Sequence, residues 1–317
     1  MGLVKRSTSS PILRASLTLG AAAFGAIFAS PASAQSATAI PGVVAAGVTP
    51  ELVSEAFDNT EGPLGAPDGG LYFSDTNASR TYRLDPAGKI AVYRENTNRG
   101  NGIAMYRDGT MVWAEETRLS WKNQANGGYA SITPGFRAFQ PNDLIATAKG
   151  GIYFTDPGPR PVVPGLKVNV YYLGPYTRTP IVVDDSVPRP NGVTLSNDEK
   201  TLYVDNTVGM EVFAYDVQDD GTLKNRRIFA QLVGIPAGQE GFGDGMGIDR
   251  DGRLYVTSLT GIQVFNPTGK YLGTIKVPRQ PSNVAFSGPD KKTLYITARQ
   301  GLYRLNMLSQ GPQRLGK

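Results

Sequence analysis

Six small polar residues occur at corresponding places along the chain, each ten or eleven positions ahead of an apolar strand pattern. They are Glu61, Asn101, Asn142, Asn191, Asp244 and Asn283. Carboxylate and carboxamide oxygens are the ligands that hard cations such as Ca²⁺ prefer. Because two of the six are acids and none is cationic, convergence of these residues on one point predicts an oxygen-lined cation site.

The strand patterns that follow these residues recur at a nearly constant period. They begin at Leu71, Met111, Ile152, Leu202, Leu254 and Leu294, at separations of 40, 41, 50, 52 and 40 residues. A period of this length with several short strands per unit is typical of a repeat array such as a propeller. Each unit predicts about four antiparallel strands joined by Gly-, Asn- and Asp-rich turns. We therefore predict an all-β fold, a six-bladed β-propeller with a central metal site.

The ends of a propeller must meet, because open sheet edges are protected in native proteins. We expect the segment Leu52–Phe57 to pair with the last blade around Arg314 and Leu315. A Pro/Gly-rich segment, Pro157–Pro161, interrupts the third unit and cannot be a strand interior. It predicts a loop, either at the entrance of the site or elsewhere on the surface.

The chain contains no histidine and no cysteine. This composition excludes a Ser–His–Asp triad, a Cys–His pair and zinc sites built on imidazole. A bound metal must then be held by oxygen, which favours Ca²⁺, with Mg²⁺, Mn²⁺ and Zn²⁺ as alternatives. No cluster of Lys and Arg with interleaved aromatic residues is present, so we expect no nucleic-acid partner.

Residues 1–34 have the pattern of a secretory signal peptide. Lys5, Arg6 and Arg14 precede or flank an apolar stretch of small residues, and Ala32-Ser33-Ala34 forms a small-x-small cleavage site. Cleavage before Gln35 predicts an exported protein, periplasmic or secreted, with no membrane association; the alternative is an uncleaved anchor helix. The mature chain has 29 basic and 27 acidic residues, a net charge of +2. We expect a tail over 35–50, a propeller over 51–317, and a monomer or weak homo-oligomer.

Five short motifs follow one another at blade spacing. They are Glu61-Gly62-Pro63, Pro141-Asn142-Asp143, Phe154-Thr155-Asp156-Pro157, Arg189-Pro190-Asn191-Gly192 and Asp244-Gly245-Met246. In this order they resemble the gluconolactonase/senescence-marker-protein (SGL) family, in its bacterial exported sugar lactonase type. The resemblance spans about residues 55–308 and implies a six-bladed, calcium-dependent hydrolase.

The resemblance also implies roles for individual residues. Glu61, Asn191 and Asp244 match metal ligands of the family, and Asn142 matches a residue that binds metal in some members and substrate in others. Asp244 is then the candidate catalytic base for a water that attacks a lactone carbonyl. Asp143 is a neighbouring residue that would orient an inner ligand. Asn101 and Asn283 match no ligand and are expected to complete the pore.

The implied reaction is hydrolysis of a small-molecule sugar lactone such as glucono-1,5-lactone. The chain departs from the family at Gln140, where some members have an Arg, and at Leu64, where bacterial members have an aromatic residue nearby. Arg118, Trp121 and Tyr129, in a long connection of the second blade, are candidates for substrate contact. Two alternatives remain open: a non-catalytic propeller stabilised by calcium, and an aryl-ester or other lactone hydrolase on the same scaffold.

Overall fold

The computed structural model describes residues 39–106, 108–122, 127–161 and 163–314. Over these residues the chain forms 24 β-strands in six four-stranded antiparallel sheets. None of the described residues forms a helix that is long and apolar enough to cross a lipid bilayer. The predicted all-β, six-bladed propeller is confirmed, and the predicted signal peptide lies outside the described residues.

Each blade runs from an inner strand at the central channel to an outer strand at the rim. Blades 1 to 3 comprise β2 (Thr60–Gly65), β3 (Leu71–Asp75), β4 (Arg80–Leu84) and β5 (Ile90–Arg94); β6 (Ile103–Met105), β7 (Met111–Glu115), β8 (Arg118–Lys122) and β9 (Tyr129–Ser131); and β10 (Leu144–Ala146), β11 (Ile152–Asp156), β12 (Asn169–Leu173) and β13 (Ile181–Asp184). Blades 4 to 6 comprise β14 (Pro190–Leu195), β15 (Thr201–Asn206), β16 (Glu211–Val217) and β17 (Leu223–Gln231); β18 (Met246–Ile248), β19 (Leu254–Ser258), β20 (Gly261–Phe265) and β21 (Tyr271–Ile275); and β22 (Asn283–Ser287), β23 (Thr293–Ala298), β24 (Gly301–Asn306) and β1 (Glu51–Ser54).

The apolar patterns that define the repeat form the second strand of every blade. All five residues of β7, β11 and β19 are buried, because neighbouring blades cover both faces of each sheet. Trp113, Tyr153 and Tyr255 are among the largest fully buried side chains. The hydrophobic core is divided into clusters between successive blades, so stacking of the blades fixes the inner strands around the channel.

The N-terminal strand closes the ring by pairing with the last blade. β1 is antiparallel to β24, with Glu51 opposite Arg304, and the two side chains form a two-point ion pair at 2.8 and 2.9 Å. The predicted closure on the last blade is correct, but the predicted partner near Arg314 is wrong. Beyond β24 the chain leaves the blade, and Arg314 donates to the Leu195 carbonyl at 2.7 Å; Leu315 lies outside the described residues.

Two other segments differ from the sequence prediction. Within the predicted N-terminal tail, Ile40, Val43 and Val44 are buried against blades 5 and 6, because three apolar side chains in five residues provide a surface that the propeller covers. The predicted long connection over Arg118–Tyr129 instead contributes β8 and β9 of blade 2. β8 pairs with β7, and β9 pairs with β8, which completes the four-stranded sheet.

Candidate functional site at the end of the channel

A polar cavity of about 470 Å³ opens at the end of the channel where the inner strands begin. Five of the six repeated polar residues line it, and we call them the polar ring: Glu61, Asn101, Asn142, Asn191 and Asp244. They come from blades 1 to 5 and are far apart in the sequence. Their convergence follows from the propeller symmetry, since corresponding positions of successive blades face one axis.

Asn283 of blade 6 is the exception among the repeated residues. Its side-chain oxygen accepts a hydrogen bond from the Val284 amide at 2.8 Å, and the residue is 1% exposed. The side chain packs directly over Gly245. Asn283 therefore supports the chain beside Asp244 and does not line the cavity.

A glycine follows four of the cavity residues and permits the close approach of neighbouring blades. These glycines are Gly62, Gly102, Gly192 and Gly245. A Cβ atom on Gly192 would lie 2.0 Å from the backbone oxygen of Asp244, and one on Gly62 would lie 2.1 Å from that of Asn101. Only glycine allows adjacent blades to approach this closely. A polar residue followed by glycine is therefore the sequence pattern that indicates a position in the polar ring.

Hydroxyl groups on the second strands of blades 1, 3 and 5 bond to the backbone at or next to the polar residue of the following blade. Ser74 Oγ donates to the Asn101 carbonyl at 2.7 Å, and Thr155 Oγ1 donates to the Asn191 carbonyl. Thr257 Oγ1 donates to the Gly245 and Ser282 carbonyls at 2.9 and 3.1 Å. These bonds fix the backbone of the ring and thereby limit the positions that its side chains adopt.

Buried carboxylates at the ends of second strands hold the loops that lead into the cavity. Asp75 accepts the amides of Asp58 and Asn59 at 2.9 and 3.0 Å, just before Glu61. Asp156 likewise accepts the amides of Phe139 and Gln140 at 2.7 and 2.9 Å. Both acids end an apolar strand pattern that is visible in the sequence. The sequence does not indicate that they hold the loops before the cavity.

The two acids of the ring lie in each other's electrostatic field. Burial raises the pKa of Glu61 well above its usual value, and the charges of Asp244 and Asp143 raise it further. Burial also raises the pKa of Asp244 to about 7, although Arg299 and a hydrogen bond from Asn191 act in the opposite direction. Two carboxylates in such surroundings are costly to ionise together unless a cation compensates them.

Two amide oxygens of the polar ring also lack a partner that a bound cation would supply. Among the described residues, neither Asn101 Oδ1 nor Asn191 Oδ1 has a hydrogen-bond partner, and both atoms are buried. Buried polar atoms of this kind need a partner. No group of three or more Asp, Glu, His or Cys side chains suited to a metal occurs in the described part of the chain. A cation here would therefore be held by two carboxylates and by amide oxygens, a donor set that suits Ca²⁺.

The remaining predicted site residues fall in different places. Asn142 lines the cavity beside Gln140. Asp143 is buried behind it, accepts the Val193 amide at 3.3 Å, and lies close enough to influence both ring acids. Arg118 is not among the residues that line the cavity; its Nε donates to Glu115 Oε2 at 2.7 Å, because β8 places it next to the end of β7. Thus Asn142 and Asp143 are brought to the site and Arg118 is not.

Sequence reasoning missed the cationic side chains of the cavity wall. They are Arg99, Arg160, Arg189 and Arg299. Arg189 belongs to a motif that pointed to Asn191, and Arg160 lies in the Pro/Gly-rich loop of blade 3, which does border the cavity. Arg299 lies in the last hairpin of the propeller. No sequence pattern places it at the cavity, because only closure of the propeller brings it beside Glu61.

The fold and the site define a class: a six-bladed propeller with one buried carboxylate, one partly buried carboxylate and several amide oxygens at one end of its channel. The family model described as the SMP-30/Gluconolactonase/LRE-like region matches residues 59–300. The chain belongs to this family.

Several characterised relatives are similar over most of their length. The gluconolactonase of Zymomonas mobilis is 27% identical over 293 residues, covering 82% of each chain. The pentonolactonase XacC of Haloferax volcanii is 27% identical over 76% of this chain and 81% of its own. A solved structure of a gluconolactonase from Xanthomonas campestris is 31% identical, with a TM-score of 0.73, and covers 82% of this chain and 90% of that one.

Proposed function

We propose that this protein hydrolyses lactones, and specifically sugar lactones, with a divalent cation, Ca²⁺ foremost, bound at the ring. Family membership and the lactonase relatives support the general reaction. The observation that carries the metal dependence is the pairing of the buried Glu61 and the partly buried Asp244 with unpartnered amide oxygens in one cavity. A regucalcin of Agrobacterium tumefaciens, described as calcium-binding, has the same fold at a TM-score of 0.72.

Glu61, Asn191 and Asp244 would hold the cation, with Asn101 or Asn142 supplying a further oxygen. When bound, a divalent cation polarises a carbonyl and stabilises the negative charge that develops on its oxygen. The rigid backbone of the ring orients these ligands, while the hydrogen bond from Asn191 holds the Asp244 carboxylate. Asp143 would position the inner strand beneath them by accepting the Val193 amide.

Asp244 would serve as the base of the reaction. It accepts a proton from the water that attacks the lactone carbonyl, and a C–O bond forms between that water and the carbonyl carbon. As the ring C–O bond breaks, Asp244 returns the proton to the departing ring oxygen, and the product is a hydroxy acid. The cavity wall offers Asn77, Asn142 and Gln140 as hydrogen-bonding groups for the hydroxyls of a sugar ring.

The test is acid release from a panel of lactones that includes glucono-1,5-lactone, measured after chelation and after restoration of Ca²⁺, Mg²⁺, Mn²⁺ or Zn²⁺. We expect hydrolysis that disappears with chelator, returns with cation, and falls by about two orders of magnitude or more in Asp244→Asn. Full activity in chelator would contradict metal dependence. Stabilisation by cation without hydrolysis of any lactone would instead indicate a binding module.

We also propose that the protein is exported, because residues 1–34 combine a basic start, an apolar stretch and a cleavage site. Expression of the full chain should yield a mature form that begins at Gln35 outside the cytoplasm. Fractionation followed by N-terminal sequencing would show this, and an intact leader on cytoplasmic protein would contradict it.

A further inference from the structure

The cavity wall carries more cationic than acidic side chains. Four arginines line it: Arg99, Arg160, Arg189 and Arg299. The acids that line it are Glu61, Glu116 and Asp244, and two of these three belong to the proposed cation site. The partners of each arginine therefore decide whether this charge is structural or is directed at a ligand.

Three of the four arginines have partners within the described part of the protein. Arg99 lies 4.0 Å from Glu116, and Arg160 lies 3.1 Å from Glu240. Arg189 donates to the carbonyls of Gly158 and Pro159 at 3.1 and 3.0 Å, and so holds the loop of blade 3 at the cavity mouth. These contacts account for the position of each of the three side chains.

No contact of this kind explains the position of the Arg299 side chain. In the described residues its guanidinium forms no ion pair and donates no hydrogen bond, although the side chain lines the cavity. Its positive charge acts on Glu61 and Asp244 and lowers the pKa of both acids. If these two acids bind a divalent cation, their charge is compensated by that cation, and Arg299 is left beside it without an anion.

The backbone does not explain an arginine at this position either. Arg299 is in the two-residue turn between β23 and β24 and has a φ of 55°, in the left-handed region where glycine or asparagine is favoured. The structural contact of the residue is made by its carbonyl, which accepts the Thr60 amide and hydroxyl. Any residue type would supply that carbonyl. Neither the backbone conformation nor the carbonyl contact therefore accounts for an arginine here, and the side chain lines the cavity.

We propose that the cavity selects lactones that carry an additional anionic group, a carboxylate or a phosphate, and that Arg299 binds this group. The inference rests on the proposed lactonase function. A guanidinium presents two parallel N–H donors that match the oxygens of carboxylate and phosphate. Once the two acids hold a cation, a negative group on the substrate would supply the anion that Arg299 otherwise lacks.

The first test compares three lactones with the calcium-loaded protein: glucono-1,5-lactone, glucaro-1,4-lactone, which carries a carboxylate, and 6-phosphoglucono-1,5-lactone. We expect kcat/KM to be about tenfold or more higher for at least one anionic lactone than for the neutral one. The preferred anionic lactone distinguishes a carboxylate from a phosphate. The ratio of anionic to neutral kcat/KM should fall by about tenfold in Arg299→Gln and in Arg299→Gly.

Arg299→Gly makes the test independent of folding. Because a positive φ suits glycine, this variant should retain the thermal stability of the native protein while losing the preference. Arg227→Gln, which removes an arginine on an outer strand paired with Asp216, is the matched control and should leave the ratio unchanged. Calorimetry with the product acids at fixed free Ca²⁺ gives a second readout, in which glucarate or 6-phosphogluconate should bind tighter than gluconate only when Arg299 is present.

The outcomes separate this inference from the function on which it rests. Equal or faster hydrolysis of the neutral lactone, or an anionic preference that persists in both Arg299 variants, would overturn the anion selection and leave the lactonase function standing. No hydrolysis of any of the three lactones, with any cation, would overturn both.

Discussion

Glu61 is buried and Asp244 is partly buried, and the two carboxylates lie close enough to raise the free-energy cost of ionising both. Each raises the cost of ionising the other, and burial adds to that cost. Native proteins retain such arrangements where a ligand compensates the charge. At the scale of single residues, removal of one of the two charges should therefore weaken the proposed function and stabilise the cation-free protein.

Glu61→Gln should increase the thermal stability of the cation-free protein near pH 8 and decrease the stabilisation that added Ca²⁺ provides. The neutral amide removes the repulsion between the carboxylates of Glu61 and Asp244 but also removes a cation ligand. Thermal unfolding with chelator and with Ca²⁺ measures both effects. Glu95→Gln, at an exposed acid paired with Arg80, is the control that should change neither; a loss of cation-free stability in Glu61→Gln would contradict the account.

At the scale of elements, the inner strands are placed by close contacts between blades. The glycines after the polar residues and the hydroxyls of the second strands hold successive inner strands against each other. The shape of the cavity thus depends on backbone contacts that carry no charge and touch no substrate.

Gly192→Ala should lower the free energy of unfolding by about 1–3 kcal/mol, because its Cβ would overlap the Asp244 carbonyl. The displacement of Asp244 should also weaken cation binding. Chemical denaturation measures the first effect and calcium titration the second. Gly174→Ala, whose Cβ would meet only ordinary van der Waals contacts at 3.4 Å, is the control, and equal effects of the two substitutions would contradict the role given to Gly192.

At the scale of the whole molecule, the charge at the ring links folding to pH. In the unfolded chain both ring acids ionise near their ordinary values, about 4, whereas in the fold their pKa values are raised. The unfolded state then binds fewer protons above that pH, so their contribution to stability is present at low pH and is lost as pH rises. The stability of the cation-free protein should fall between about pH 5 and about pH 8 through these groups.

Saturating Ca²⁺ should reduce this decline, because the cation binds the ionised acids and its stabilisation grows as they lose their protons. Thermal unfolding across this pH range, with chelator and with Ca²⁺, measures the difference between the two curves. The same decline with and without cation would show that the ring acids are not its cause.

The sequence predicts the propeller well because each repeat contains a buried strand with a clear apolar pattern. Patterns such as Leu254–Ser258 must be covered on both faces, and their period fixes the number of blades. It also predicts that Glu61 and Asp244 converge, since equivalent positions face one axis. Asn283 departs from this symmetry because its side chain turns to its own backbone, a local choice that the repeat does not encode.

The parts of the site that the sequence does not predict depend on loops and ring closure. The sequence predicts Arg118 near the cavity, in a long connection of blade 2. The segment instead forms β8, and Arg118 donates a hydrogen bond to Glu115. Arg299 reaches the cavity only because the last blade closes beside the first. Contacts between residues more than two hundred positions apart follow from the closed ring and from no local pattern.

We propose that one divalent cation binds at the polar ring through Glu61, Asn191 and Asp244. Calorimetric titration of the chelator-treated protein with Ca²⁺ tests it most directly. We predict one binding event per chain, weakened by about tenfold or more in Asp244→Asn, because the charge of the ligands sets the affinity of an oxygen site. Absence of binding, or binding of undiminished affinity in Asp244→Asn, would contradict the claim.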